Sequence, residues 1–173
     1  MKILIADEHP LVRMVLKRRL QGAFPNLELE EAESVEALLK KSMKQKWDLI
    51  ISDLFSPAHT GLYILKQIKK RLPFVPVLTF TMFPPEQYAF GAVACGSSGY
   101  LTREDLSWEL IKAVKKILSG KKYLPLVVSD ILEVNYENRL KESKIKISSN
   151  WYFQLPKLLA EEKNLPSLRY NFS

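Results

Sequence analysis

A three-layer α/β domain built on a parallel sheet is what this chain predicts, on three observations. Five short apolar runs recur along residues 2–102, segments of helical spacing separate them, and each run stops at a polar residue near a turn signal. Strands alternating with helices give parallel pairing through right-handed crossovers. Residues 49–53, Leu-Ile-Ile-Ser-Asp, show the pattern most clearly: a run of this composition suits a strand covered on both faces, and it delivers Asp53 to its open end.

Residues 2–6 form a first strand that stops at Asp7-Glu8-His9-Pro10. Pro10 suits the first turn of a helix, and Leu11, Met14, Val15 and the Val12, Leu16, Leu20 row supply helical spacing to Gly22. Residues 27–32 alternate Leu with Glu as a more exposed strand would. Ser34 then caps a helix with Val35, Leu38, Leu39 and Met43 on one face. After the Asp53 strand, a helix from about Gly61 turns Leu62, Leu65, Ile68 and Leu72 inward. Residues 76–80 are a fourth strand, ending at Thr81. Residues 86–94 read as a helix weakened by Gly91, and residues 99–101 as a very short fifth strand. Asp105 or Ser107 caps the last and most regular helix, with Leu110, Ile111, Val114, Ile117 and Leu118 in one stripe ending at Ser119-Gly120.

Composition narrows the classes of function. The chain of 173 residues suffices for one well-buried domain, placed at 1–120, with residues 121–173 as linker and tail. No apolar run reaches the roughly 18 residues that span a bilayer, and the first residues lack a signal-peptide layout, so no membrane partner and a cytoplasmic address are expected. The single cysteine, Cys95, allows no internal disulfide and reads as a small core residue; His9 and His59 lack the companions of a metal site. The net charge is +7: residues 1–120 carry 17 Lys and Arg against 13 Asp and Glu, and residues 121–173 carry 9 against 6. This excess is spread rather than striped, so it favours solvated helix faces over DNA binding.

The chemistry gathers at one end of the sheet. In a doubly wound sheet, ligands bind beyond the carboxyl ends of the strands, and Asp7, Glu8, Asp53, Thr81 and Arg103 all follow or end strands there. Three carboxylates brought together repel one another, which a hard divalent cation such as Mg²⁺ relieves. The hydroxyl of Thr81 and the guanidinium of Arg103 complete a pocket for a phosphoryl group.

Together, Asp7-Glu8-His9-Pro10, Asp53 with Pro57 and Gly61, Thr81-Met82 and Gly99-Tyr100-Leu101 resemble the receiver domain of two-component response regulators, in the NarL/FixJ branch, over roughly residues 1–132. The resemblance implies a flavodoxin-like, five-stranded parallel sheet of order 2-1-3-4-5. It also implies that Asp53 accepts a phosphoryl group from a sensor histidine kinase. Glu8, Asp53 and the Phe55 backbone carbonyl would hold Mg²⁺, with Asp7 touching the ion through water. Thr81 would bond the phosphoryl oxygens, and Tyr100 would move inward behind it, switching a protein-interaction face. Two positions depart from the family: Arg103 stands where it has Lys, and Glu8 where Asp is usual. If these departures have ended phosphorylation, the chain is a pseudo-receiver adaptor. An aspartyl-nucleophile phosphohydrolase, and with it an enzyme, is disfavoured, because such enzymes share a second Asp at the position Phe55 occupies here. Phe55 and Phe83 are expected to flank the pocket mouth and exclude water from an acyl phosphate.

The branch usually continues into a LuxR-type DNA-binding domain. Here 53 residues follow Gly120, none of them glycine, and Leu158-Leu159-Ala160-Glu161 resembles that domain's first helix only faintly. A complete helix-turn-helix is therefore not expected. The apolar cluster Trp151-Tyr152-Phe153 either packs on the receiver or serves self-association, leaving a homodimer possible and DNA binding through an atypical tail as an alternative.

Overall fold

The computed structural model describes residues 1–53, 60–107, 109–124, 126, 129 and 130. Five strands, β1 (Lys2–Ala6), β2 (Glu28–Ala32), β3 (Leu49–Ser52), β4 (Val77–Thr81) and β5 (Gly99–Thr102), form one sheet of order β2-β1-β3-β4-β5. Every pairing is parallel. Helices α1 (Pro10–Ala23) and α5 (Glu109–Leu118) contribute to one core with Ile3, Ile5, Ile51 and Phe80. Helices α2 (Val35–Ser42), α3 (Thr60–Arg71) and α4 (Pro85–Ala94) contribute to the other with Leu4, Ile50 and Tyr100. The flavodoxin-like order expected from the resemblance is the one present.

Several local expectations change. In α1 only the Leu16–Leu20 row is fully buried, while Leu11 and Met14 are exposed, because a helix lying on a sheet buries one stripe and this one carries apolar residues beyond it. Met43, expected on the inner face of α2, caps that helix and is exposed. Ser34 caps α2 as expected, its Oγ accepting from the Ala37 N–H at 3.1 Å. Asp105 caps no α-helix. It lies in a 3₁₀ turn (Glu104–Ser107) and accepts from Thr102 N–H at 3.0 Å and Thr102 Oγ at 2.7 Å, tying the turn to the end of β5. Gly91 lets two helices meet, since a Cβ there would lie 2.7 Å from Leu62 Cδ1 of α3. Cys95 is half-buried. Lys69 joins Lys116, Lys121 and Lys122 in lining one groove of about 1080 Å³ away from the Asp53 end, so part of the positive charge converges after all. Burial pushes the Lys69 and Lys122 ammonium groups down from their ordinary values, and Lys122 adds to the effect on Lys69.

The free edge of β5 is partly covered by the segment after α5. Tyr123 pairs with Gly99: its N–H donates to Ser98 O at 2.9 Å, and its carbonyl accepts from Tyr100 N–H at 3.2 Å. The Tyr123 ring is buried under the stems of Lys112 and Lys116, whose Nζ atoms lie 5.9 and 5.5 Å from its centroid. A Cβ on Gly99 would lie 2.8 Å from Tyr123 O and 2.9 Å from Ile117 Cδ1. The carbonyl cannot yield without breaking its bond. Gly99→Ala should therefore cost about 1–3 kcal/mol, read as a lower urea midpoint at unchanged slope.

Candidate functional site

Register builds the site. Ala6 pairs with Ser52, so Asp7 and Asp53 emerge one residue later on neighbouring strands, and Asp53 N–H donates to Ala6 O at 2.9 Å. Thr81 pairs with Thr102, so Arg103 follows one residue beyond, its N–H donating to Thr81 O at 2.8 Å. Strands of similar length, ending level, thus carry all four groups to one edge.

The side chains then meet through Arg103. Its Nη2 donates to Asp7 Oδ2 at 2.8 Å and to Asp53 Oδ2 at 2.8 Å, although these residues lie 96 and 50 positions away in sequence. Asp7 is almost sealed, its side chain 1% exposed, while Asp53 is 10% and Arg103 21% exposed. The other Asp7 oxygen accepts from His9 N–H at 2.7 Å and faces His9 Nδ1 at 3.0 Å. Arg13 holds the loop from below, its Nη1 donating to the Asp7 carbonyl at 2.7 Å. Glu8 is exposed, and with Asp7, His9, Ser34 and Asp53 it lines a cleft of about 40 Å³.

A donor set of three carboxylates around one small cleft suits a hard divalent cation in kind. As they stand, however, no three acidic, His or Cys side chains among the described residues converge closely enough to hold an ion, and Arg103 bonds two of the carboxylates. The Phe55 carbonyl, with Pro57 and His59, lies outside the described residues.

Behind the carboxylates sits a second linked group. Thr81 is fully buried, and its Oγ accepts from Phe83 N–H at 3.3 Å. Tyr100 is fully buried too, its hydroxyl donating to Phe83 O at 3.0 Å. Burial, followed by the Asp53 and Glu86 carboxylates, pushes the Tyr100 phenol upward, which keeps it a donor throughout the physiological range. The Phe83 ring packs on Tyr88, with centroids 4.7 Å apart. Spacing alone did not reveal Phe83 as the residue whose backbone joins Thr81 to Tyr100, since backbone bonding leaves no signature in residue type.

A family model for the response regulator receiver domain matches residues 3–115. The chain belongs to that family. The receiver is 33% identical over 125 residues to a glycerol metabolism activator of Pseudomonas putida, an alignment covering 72% of this chain and 57% of the relative's length. It is 29% identical over 153 residues to the oxygen regulatory protein NreC of Staphylococcus epidermidis, covering 87% and 69%. Among solved structures it is similar to the isolated REC domain of RcsB from Salmonella enterica serovar Typhimurium, solved in the presence of phosphomimetic BeF3-. That match has a TM-score of 0.68 at 26% identity and covers 76% of this chain and 98% of that one. A longer RcsB structure, described in terms of conformational dynamism for DNA interaction, matches at TM-score 0.70 and 25% identity over 95% and 79%. The relatives are NarL- and GacA-type response regulators, as the motifs implied. Receiver domains of this family serve two-component signalling and generally bind Mg²⁺ at the phosphorylation site; they are signalling regulators rather than typical enzymes. No described helix is long and apolar enough to cross a membrane.

The Tyr100 hydroxyl is the group that joins β5 to the loop after β4. Tyr100→Phe should leave the Phe83 carbonyl short of its donor and cost about 1–3 kcal/mol. Urea unfolding of the two proteins measures the difference.

Proposed function

We propose that this receiver takes a phosphoryl group on Asp53 from the phosphohistidine of a sensor histidine kinase and passes the change to a protein partner. The observation that supports this reading is Asp53 itself: a carboxylate at the carboxyl end of a central parallel strand, partly open to solvent and paired with the cationic Arg103. A carboxylate oxygen attacks the phosphorus, the bond to the histidine nitrogen breaks, and the imidazole leaves. Charge on the transferred group calls for cations, and Arg103 is within reach of it. Asp7, Glu8 and Asp53 would hold Mg²⁺, with the Phe55 carbonyl added by resemblance; the ion would neutralise charge on the phosphoryl oxygens. Thr81 and Tyr100 lie behind the site, joined through Phe83. The output surface is the face of α4, β5 and α5, and the cytoplasm is where such a kinase domain acts.

Residues 1–120 serve as the receiver and residues 121–173 as linker and tail. The matched relatives extend well beyond this chain, which spans 57% and 69% of the two described above, so their whole-protein activities do not transfer to it directly. Self-association and DNA contact through the tail remain subsidiary to protein interaction in this reading.

A second reading, a pseudo-receiver that engages its partner without phosphorylation, draws on two observations: Arg103 already bridges Asp7 and Asp53, and Tyr100 is already inward. Intact-protein mass separates the two. After incubation with acetyl phosphate and Mg²⁺, the chain should gain about 80 Da, one phosphoryl group, and Asp53→Ala should gain nothing. A folded chain that gains no mass selects the pseudo-receiver.

A further inference from the structure

The groove away from the Asp53 end holds more positive charge than its own walls neutralise. Lys69 enters it from α3, Lys116 from α5, and Lys121 and Lys122 from the segment after α5. Among the described residues no carboxylate pairs with any of the four. The described lining holds one acidic side chain, Asp48, and it is engaged elsewhere, its Oδ2 accepting from the Lys2 N–H at 2.7 Å. Lys69 is held in place: its stem runs past Gly96, where a Cβ would lie 3.1 Å from Lys69 Cγ, and its Nζ donates to Pro73 O and Val75 O at 2.8 Å each. An ammonium has three N–H donors, so one is left for the groove. Lys122 is half-buried, its ammonium makes no hydrogen bond among the described residues, and its charge acts on Lys69. Two half-buried ammonium groups this close call for an anion.

Between the charges the walls are apolar. Phe74, 96% exposed, lines the groove with Pro76, Leu118 and Leu124. At about 1080 Å³ the groove exceeds the roughly 300–1,000 Å³ of a small-ligand pocket, so it suits a chain segment that carries carboxylates and apolar side chains together. Such a segment begins at the rim. Ser129 lines the groove, and residues 130–137, Asp-Ile-Leu-Glu-Val-Asn-Tyr-Glu, hold three carboxylates, four apolar or aromatic side chains and no basic one. Residues 138–147 then carry four basic residues against one acidic, so the acidic run is confined to the stretch beside the lysines. Seven residues beyond Asp130 reach up to about 25 Å when extended, enough to cross the groove. Exposed ion pairs are singly weak, so a separate acidic molecule would gain little, whereas a segment tethered at the rim acts at an effective concentration on the order of millimolar.

We propose that residues 131–137 of the chain itself dock in this groove, with Glu133 and Glu137 meeting Lys69 and Lys122 and the apolar side chains covering Phe74 and its neighbours. The contact fastens the start of the tail to the end of the receiver opposite Asp53. It does not depend on phosphorylation of Asp53, and because it is largely ionic, salt weakens it.

Zero-length carbodiimide cross-linking of the full chain tests it, since the reagent joins a carboxylate to a lysine only where the two touch. Tryptic peptides of the monomer-sized product should show Glu133 or Glu137 joined to Lys69 or Lys122. Lys69 is the decisive acceptor, because it belongs to α3 and is remote from the segment in sequence. Its links should fall several-fold in about 1 M NaCl, where charges are screened beyond a few ångströms. In a second measurement, Glu133→Gln combined with Glu137→Gln should raise several-fold the rate at which acetic anhydride modifies Lys122. Links from Glu133 and Glu137 only to lysines outside the groove overturn the docking, as does the absence of any link together with an unchanged acetylation rate. Links found only in a dimer-sized product place the segment in the groove of a second copy and overturn the contact within one chain.

Discussion

The parallel pairing of β1, β3, β4 and β5 is the constraint on which everything else rests. Because Ala6 faces Ser52 and Thr81 faces Thr102, the residues that follow these strands emerge at the same edge without help from any side chain. A one-residue slip would exchange the side chains of these strands between the two cores and scatter the acidic groups. Burial of both faces prevents it: Ile3, Ile5, Ile51 and Phe80 point into one core, Leu4, Ile50 and Tyr100 into the other.

On that edge, charge balance governs the local geometry. Asp7 is nearly sealed from water, and a buried carboxylate needs a partner. Arg103 supplies it from just beyond β5 while also holding Asp53. His9 bonds the remaining Asp7 oxygen, and Arg13 fixes the loop backbone, so Arg103, His9 and Arg13 together hold the acidic loop after β1. The Lys-to-Arg departure from the family is therefore one of shape and reach: a longer, planar group places a single nitrogen between the two carboxylates.

The second layer of the site joins it to the rest of the receiver through backbone groups. Phe83 receives the Tyr100 hydroxyl on its carbonyl and gives its N–H to Thr81. Tyr100 in turn gives its own N–H to Tyr123, at the beginning of the segment that follows α5. One residue of β5 is thus bonded both to the loop beside the acidic cleft and to the start of the linker, a route of physical contact from site to tail.

Periodicity, β-branched runs and strand-end residue types were enough to determine the class of fold, all five strands within a residue or two, and the set Asp7, Glu8, Asp53, Thr81 and Arg103 as residues of one edge. These features are local, and a parallel α/β sheet turns local order into position almost without ambiguity. Which side of a helix was covered was less legible: Leu11, Met14 and Met43 are as apolar as their buried neighbours, yet Leu11 and Met14 lie off the stripe that α1 buries and Met43 caps the end of α2, so all three stay exposed. Asp105 looked like a helix cap and proved a tether for Thr102, because the turn it sits in is set by where α5 packs. The convergence of Lys69, Lys116, Lys121 and Lys122 on one groove, the Arg103 bridge between Asp7 and Asp53, and the Phe83 backbone relay were decided by tertiary structure alone. Each depends on the distance and direction of contacts between separate elements, and neither quantity is written in the order of the residues.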